Sequence, residues 1–292
     1  MHGGYTAGKF IITPEGQPLA RPCRPVPCNR IPAELASAEE VIPRTIEEMR
    51  RNNIVLGLLT DSPPYPKDEQ WIFDKWEQAN PNGFIYGYYL KHPFDISIAH
   101  LRALLKNGDI QMIGELAFQY NEISIDDPIL EPLFDLADEL DVPVYIHLGA
   151  NGRQIEGGFP MYLGNPLKLE PILRKHPELR ICIENASFPF LHELVALTSR
   201  YPNVYVDLST VTWTRPRQII HHYLNQLMDY GLGKRILFGT DQMMWPEVIP
   251  IAIETIRSAD FLTFEEKRDI FYNNAARFLR LSEEQIAQHH EN

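Results

Sequence analysis

A chain of 292 residues with 44% hydrophobic content is long enough for one large α/β barrel, typically about 250 residues, or for two ordinary domains. It contains no apolar run near the roughly 18 residues of a membrane span, and its net charge of -12 argues against a nucleic-acid partner, which wants a basic face. Three cysteines, Cys23, Cys28 and Cys182, are too sparse for a disulfide framework or a complete cysteine zinc site, and no apolar stretch follows Met1–Gly4 as in a signal peptide, so the expectation is a reducing, cytoplasmic setting.

Residues 1–36 are rich in Gly and Pro and read as a long N-terminal loop, unusually long for a compact domain. From Ser37, a candidate N-cap with Glu40 completing a capping box, a helix is expected to about Asn52. An alternation then sets in: strand Ile54–Thr60, helix Pro66–Ala79, strand Phe84–Leu90, helix Asp95–Lys106, strand Ile110–Leu116, helix Asp127–Leu140. It continues with strand Val142–Leu148, helix Pro166–Lys175, strand Leu179–Glu184, helix Phe188–Arg200, strand Val204–Leu208, helix Arg217–Tyr230 and strand Arg235–Thr240. Helices near Glu247–Ser258, Thr263–Leu279 and Ser282–His290 close the chain.

Strands that are apolar on both faces, separated by amphipathic helices, indicate a parallel sheet covered by helices. The seven such strands are one short of a closed (β/α)8 barrel, and the last unit is complete, so the first strand is the one missing or truncated. A doubly wound sheet would tolerate seven strands but usually carries a glycine-rich phosphate loop, and this chain has none. The reading is a single α/β domain over 1–292, a distorted TIM barrel spanning 37–281 with a polar tail at 282–292.

The stretch Arg235–Asp241, RILFGTD, delivers a carboxylate to the C-terminal end of a strand, where barrel enzymes place their active-site groups, although an Asp there also suits a helix N-cap. Other strands end in the same manner, at Asp61, Glu115, His147, Asn185, and Asp207 with Ser209. One histidine and one aspartate at a barrel mouth are the residue types that hold a divalent metal; His147 could equally be a hydrogen-bonded core residue. Asp241 could also accept a proton from an attacking water. Glu115 could contact the metal, orient a ligand, or form an ion pair in the barrel interior. Asp207 reads as structural. Arg153, Trp213 and Arg215 fall on βα loops and are candidates for binding an anionic or aromatic substrate.

The ordered set FGTD after Arg235, YIHLG after Asp141–Pro143, Gly114–Glu115, His176–Pro177, PNVYVD at 202–207 and NAARF at 274–278 resembles the amidohydrolase-related branch of the metal-dependent hydrolases. That branch includes lactonases and aminocarboxymuconate-semialdehyde decarboxylase-like enzymes. The resemblance runs from about Ser37 to the C-terminal helices and implies a distorted (β/α)8 barrel. It also implies a divalent metal, zinc by default, held by an H-x-H pair on the first strand, a histidine on the fifth and an aspartate on the eighth. His147 takes the fifth-strand role and Asp241 the eighth. Two departures stand out. Asn185 occupies the place where family members usually carry a sixth-strand histidine, and it can bind substrate but not act as a general base. The chain also opens on Met1-His2-Gly3-Gly4; if Met1 is the middle of an H-M-H triplet, His2 is the second metal ligand of the pair.

The expected function is hydrolysis of a small lactone, ester or amide, possibly carboxylated, with Asn185 and Arg153 orienting the substrate. The alternatives are a non-oxidative decarboxylase of the same branch and a degenerate barrel that binds a ligand without turnover. Expected partners are a small-molecule substrate and a possible second copy in a homodimer, with neither nucleic acid nor membrane.

Overall fold

The computed structural model describes residues 38–61, 72–150 and 159–291. Within them seven strands form one parallel sheet: β1 (Gly57–Asp61), β2 (Phe84–Leu90), β3 (Met112–Leu116), β4 (Val144–His147), β5 (Ile181–Glu184), β6 (Val204–Asp207) and β7 (Ile236–Leu237). They lie side by side in chain order, each hydrogen-bonded to the next. This is the order of a TIM barrel whose first strand is not among the described residues. His2 and Arg153 also fall outside the described residues.

The helices are α1 (Ala38–Arg51), α2 (Ile72–Ala79), α3 (Ile98–Asn107), α4 (Glu131–Glu139), α5 (Glu170–Lys175), α6 (Leu191–Arg200), α7 (Val211–Thr214), α8 (Arg217–Asp229), α9 (Val248–Arg257), α10 (Phe264–Arg268), α11 (Asn274–Leu279) and α12 (Glu283–Glu291). Several are shorter than the sequence periodicity suggests, for local reasons. Ser97 caps α3 by accepting the amide of His100, so that helix starts after Asp95. Pro128 and Pro166 open 3-10 turns that precede α4 and α5. The stretch from Thr263 to Leu279 is interrupted between α10 and α11 by a π turn at Asp269–Asn273.

The two faces of each strand serve different cores, because side chains alternate along a strand. Val144, Ile146, Ile181 and Ile183 join the large cluster that includes Leu101, Leu133, Leu173, Leu194 and Leu224 of the helices. Met112, Tyr145, Cys182 and Leu237 form a second cluster inside the curl, plugged by Phe278 of α11, whose ring lies 5.9 Å from Tyr145 and 5.1 Å from Tyr205. This internal layer floors the barrel, and the residues two positions further along β4 and β5 stand above it.

β7 is shorter than the expected Arg235–Thr240. The amide of Phe238 donates to Ile270 O of the π turn at 2.8 Å, which draws the chain away from the sheet after Leu237. Among the described residues no strand pairs with the outer edge of β1 or β7. The seam between them holds a cavity of about 350 Å3 lined by Leu58, Leu237, Ile249, Ile253 and Phe271, with Tyr145 and Asp207 at its inner wall. Helix α1 covers this flank: Arg44 pairs with Glu247 at 2.6 Å and Thr45 accepts a hydrogen bond from Gln242 at 2.8 Å.

The packing of the helix layer is testable at Trp76, which is fully buried and meets Phe84 edge-on at 5.2 Å. Trp76→Ala is expected to cost about 3–5 kcal/mol. Phe94→Ala, at a ring 73% exposed, should stay within about 0.5 kcal/mol. Urea unfolding of both variants measures the contrast.

Candidate metal centre

The C-terminal ends of β3, β4 and β5 bring three chemically active side chains together. His147 ends β4 and pairs in register with Glu184, which ends β5, so the two residues stand at the same level above the internal layer. Glu115 reaches them from β3, where the register shifts against both neighbouring strands. Bulges of this kind redirect a side chain. Gly114 makes the bend possible: its φ is +121°, and a Cβ there would lie 2.3 Å from Tyr145 O.

His147 Nδ1 shares a 2.8 Å hydrogen bond with Glu115 Oε1 and lies 3.6 Å from Glu184 Oε2. Its Nε2 lies 3.4 Å from the Tyr120 hydroxyl. The three ligand atoms of Glu115, His147 and Glu184 sit within 4.8 Å of one another, and all three residues are buried. Burial opposes the charge on His147, but Tyr120, Glu115 and Glu184 outweigh it and hold the imidazole well above its ordinary value. Burial, followed by repulsion from Glu115, pushes Glu184 up to about 7. The charged imidazole thus occupies the place between two carboxylates that a cation would take.

The donor set fits a divalent metal. Two carboxylates and an imidazole are hard-to-borderline ligands, the Glu184 Oε2 atom has no hydrogen-bond partner among the described residues, and all three side chains are buried.

The other strand-end residues surround this cluster. Asp241, after β7, is buried with φ +40°. It lies outside the three-residue group, and its charge acts with those of Glu115 and Glu184 on the Tyr89 hydroxyl of β2. Burial and those acids raise the Tyr89 hydroxyl, so it stays neutral. Asn185 is fully buried next to Glu184; its backbone amide donates to Asp207 Oδ1 at 3.1 Å and its Oδ1 accepts the Thr210 hydroxyl at 2.7 Å. Burial, and then the charge of Glu184, push Asp207 up to about 7, while the hydroxyl of Ser209 donates to it. Trp213 is buried, donates its indole N–H to Thr240 O at 2.6 Å, and packs against Trp245 with ring centroids 5.9 Å apart. The Arg215 guanidinium lies 5.7 Å over the Phe188 ring, and burial lowers its pKa.

Glu115 and His147, two of the expected metal residues, therefore meet directly. Glu184 joins them without having been singled out in the sequence. Its signal is parity: two residues beyond Cys182 it shares the inward side of β5, as His147 does two residues beyond Tyr145 on β4.

A family model described as Amidohydrolase matches residues 67–281. Among solved structures, an uncharacterised TIM-barrel protein from Bordetella bronchiseptica aligns with a TM-score of 0.64 at 20% identity, covering 85% of each chain. A probable 2-pyrone-4,6-dicarboxylic acid hydrolase from Acinetobacter baumannii, with citric acid bound, aligns with a TM-score of 0.61 at 16% identity over 82% of this chain and 89% of the other. A dihydroxybenzoic acid decarboxylase from Polaromonas sp. JS666, with manganese and 2-nitroresorcinol bound, gives 0.60 at 15% identity over 84% and 89%. These likenesses concern the fold. Protein fluG of Emericella nidulans is 24% identical over 157 residues, covering 49% of this chain and 18% of that protein, so the match spans under a fifth of that relative's length.

Metal uptake should be coupled to proton release, because the ion must displace the proton on His147 and the one Glu184 holds up to about pH 7. A carboxyl whose folded pKa is raised from 4.5 to about 7 stabilises the metal-free fold fully below pH 4.5, and that contribution is lost as pH rises to about 7. The expected outcome is a metal-free melting temperature that falls between pH 5 and 7.5 more steeply in the wild type than in Glu184→Gln. Calorimetric titration with Mn2+ should show an enthalpy that depends on buffer ionisation and an affinity that rises through that same range.

Proposed function

The chain belongs to the amidohydrolase family, and on that premise we propose that it is a metal-dependent hydrolase of a small organic substrate, a lactone, ester or amide. The observation that carries the reading is the buried Glu115–His147–Glu184 group, which assembles ligands from three strands at the end of a barrel where catalysis is placed. Glu115, His147 and Glu184 would hold the ion, zinc by first choice, with His2 as a further candidate ligand. When bound, a divalent ion supplies Lewis-acid polarisation of the substrate carbonyl.

The remaining steps fall to the side chains. Asp241, buried and acting through its charge on the same Tyr89 hydroxyl as Glu115 and Glu184, is proposed as ligand or base, taking a proton from the attacking water. The Tyr89 hydroxyl, kept neutral, can donate a hydrogen bond to the substrate carbonyl. Tyr120 sits against His147 and packs edge-on against Phe159 at 5.3 Å, an aromatic flank for the site. Asn185 orients the substrate, with Arg215 and Trp213 after β6, and Arg153 from the sequence alone, as further candidates. A second reading, loss of CO2 from a carboxylated substrate, draws support from the buried carboxyls held near 7, which can deliver the proton that replaces CO2. No helix among the described residues is long and apolar enough to cross a membrane. A cytoplasmic setting and a homodimer remain proposals from the sequence.

Metal content by mass spectrometry should give about one equivalent per chain, and His147→Ala should lower it severalfold. Asp241→Asn should keep the metal if Asp241 is the base while reducing turnover by about 10²–10⁴-fold. Turnover is read on a panel of lactones, esters and amides, with CO2 release from hydroxybenzoates scored in parallel. Absence of metal from the wild type would leave a ligand-binding barrel in place of an enzyme.

A further inference from the structure

The turn after β5 holds three consecutive residues in the left-handed region, Asn185 at φ 58°, Ala186 at 46° and Ser187 at 51°. None is glycine, so each carries a steric cost, and backbone strain of this kind persists where the surroundings hold it in place. Here the hold is visible. Tyr223 donates its hydroxyl to Ala186 O at 2.8 Å, and the amides of Phe188 and Phe190 donate to Asn185 O and Ser187 O, each at 2.9 Å. Gly149, two residues past His147, leaves the space: a Cβ there would lie 2.7 Å from Phe188 O and 2.9 Å from the Ser187 carbonyl carbon.

The result is a turn held in one conformation that carries two buried polar side chains. Thr210 occupies Asn185 Oδ1, which sets the orientation of the carboxamide and leaves Nδ2 as its other end. Asn185 and Ser187 are both fully buried, and neither Asn185 Nδ2 nor Ser187 Oγ has a hydrogen-bond partner among the described residues. Buried donors without partners are costly and are normally matched by a water, an ion or a ligand. These two begin next to Glu184, at the strand end where a barrel takes its ligand. The guanidinium of Arg215 lies 5.7 Å over the ring of Phe188, the residue that follows the turn, and adds a positive charge nearby.

We propose that the turn Asn185–Ala186–Ser187 is a preformed cradle for a carboxylate of the substrate, with Asn185 Nδ2 and Ser187 Oγ as its donors. Ser187 then becomes a binding residue of the site. The inference rests on the reading of this strand end as the active-site mouth. It deepens that reading by requiring a substrate with an anionic group, which charge-assisted hydrogen bonds from buried donors hold more tightly than a neutral oxygen.

The test uses acetate, benzoate and citrate as probes, titrated calorimetrically into protein incubated with Mn2+. The proteins are wild type, Ser187→Ala, Asn185→Asp and Ser187→Gly; the last removes the hydroxyl while suiting a positive φ. At least one probe should bind the wild type, and all three variants should weaken it about tenfold or more, with manganese content unchanged. A crystal soaked with that probe should place a carboxylate oxygen within hydrogen-bond distance of Ser187 Oγ. The proposal is overturned if no probe binds the wild type, if the serine variants bind as well as the wild type does, or if the crystal shows water alone on both donors. Should the wild type take up no manganese, the metal-centre reading fails on its own. The same titrations without metal then decide the cradle.

Discussion

Two carboxylates and an imidazole are buried within hydrogen-bonding reach of one another, and much of the upper barrel is arranged to make that tolerable. Burying an ion is expensive unless it is paired, and two like charges beside each other raise the cost. His147 is the relief: it takes a proton and stands between Glu115 and Glu184. The positioning depends on backbone features that carry no charge. The bulge at Gly114 turns Glu115 inward, the level pairing of His147 with Glu184 sets their heights, and Gly149 gives the turn after β5 room to pass.

Below this level the barrel is apolar and packed, with Phe278 plugging it, so the polar groups lie on a rigid floor. To one side, among the described residues, no strand fills the seam between β7 and β1. An unpaired strand edge exposes backbone donors and acceptors and invites another strand. Helix α1 lies over that flank through its contacts with Gln242 and Glu247, as a crossover helix lies over the strands it connects. The seam cavity reaches Asp207, while none of the three metal-capable residues lines it. The floor and the seam are therefore matters of fold, and the three metal-capable residues stand apart from both.

The architecture was legible in the sequence because periodicity and chain order carry it. Seven apolar strands alternating with amphipathic helices fix a parallel sheet, and each expected strand is present: Phe84–Leu90 with the ends expected, the first shifted to Gly57–Asp61, and the other five trimmed. The trimming reflects partners that a one-dimensional pattern does not contain, such as the Ile270 carbonyl that takes the amide of Phe238. The site was legible where a polar residue interrupts an apolar run, as at His147. Glu184 was harder to see, since a glutamate closing a strand before Asn185 looks like an ordinary boundary. Its significance comes from register with β4, and register is a property of the pairing of two strands. The left-handed turn was invisible for a related reason: Asn-Ala-Ser carries no glycine to announce positive φ, and its conformation is imposed by Asp207, Thr210 and Tyr223 from later in the chain.

The distribution of charge brings these strands of argument together. Glu115, Glu184, Asp207 and Asp241 are all buried near the strand ends, and Glu184 and Asp207 are held up to about 7. A fold that merely needed filling could have placed apolar residues there at lower cost. Protons can satisfy such a site only in part, since neutralising Glu184 leaves an oxygen without a hydrogen-bond partner among the described residues. A divalent cation would answer both deficits at once, supplying positive charge and engaging oxygens that hydrogen bonds leave over. The same logic extends one residue further along the chain, with the sign reversed. Beyond the acids come Asn185 Nδ2 and Ser187 Oγ, where the buried groups in excess are donors, and what would satisfy them is an acceptor. A site with an excess of acceptors beside an excess of donors is suited to a cation and an anionic substrate bound next to each other.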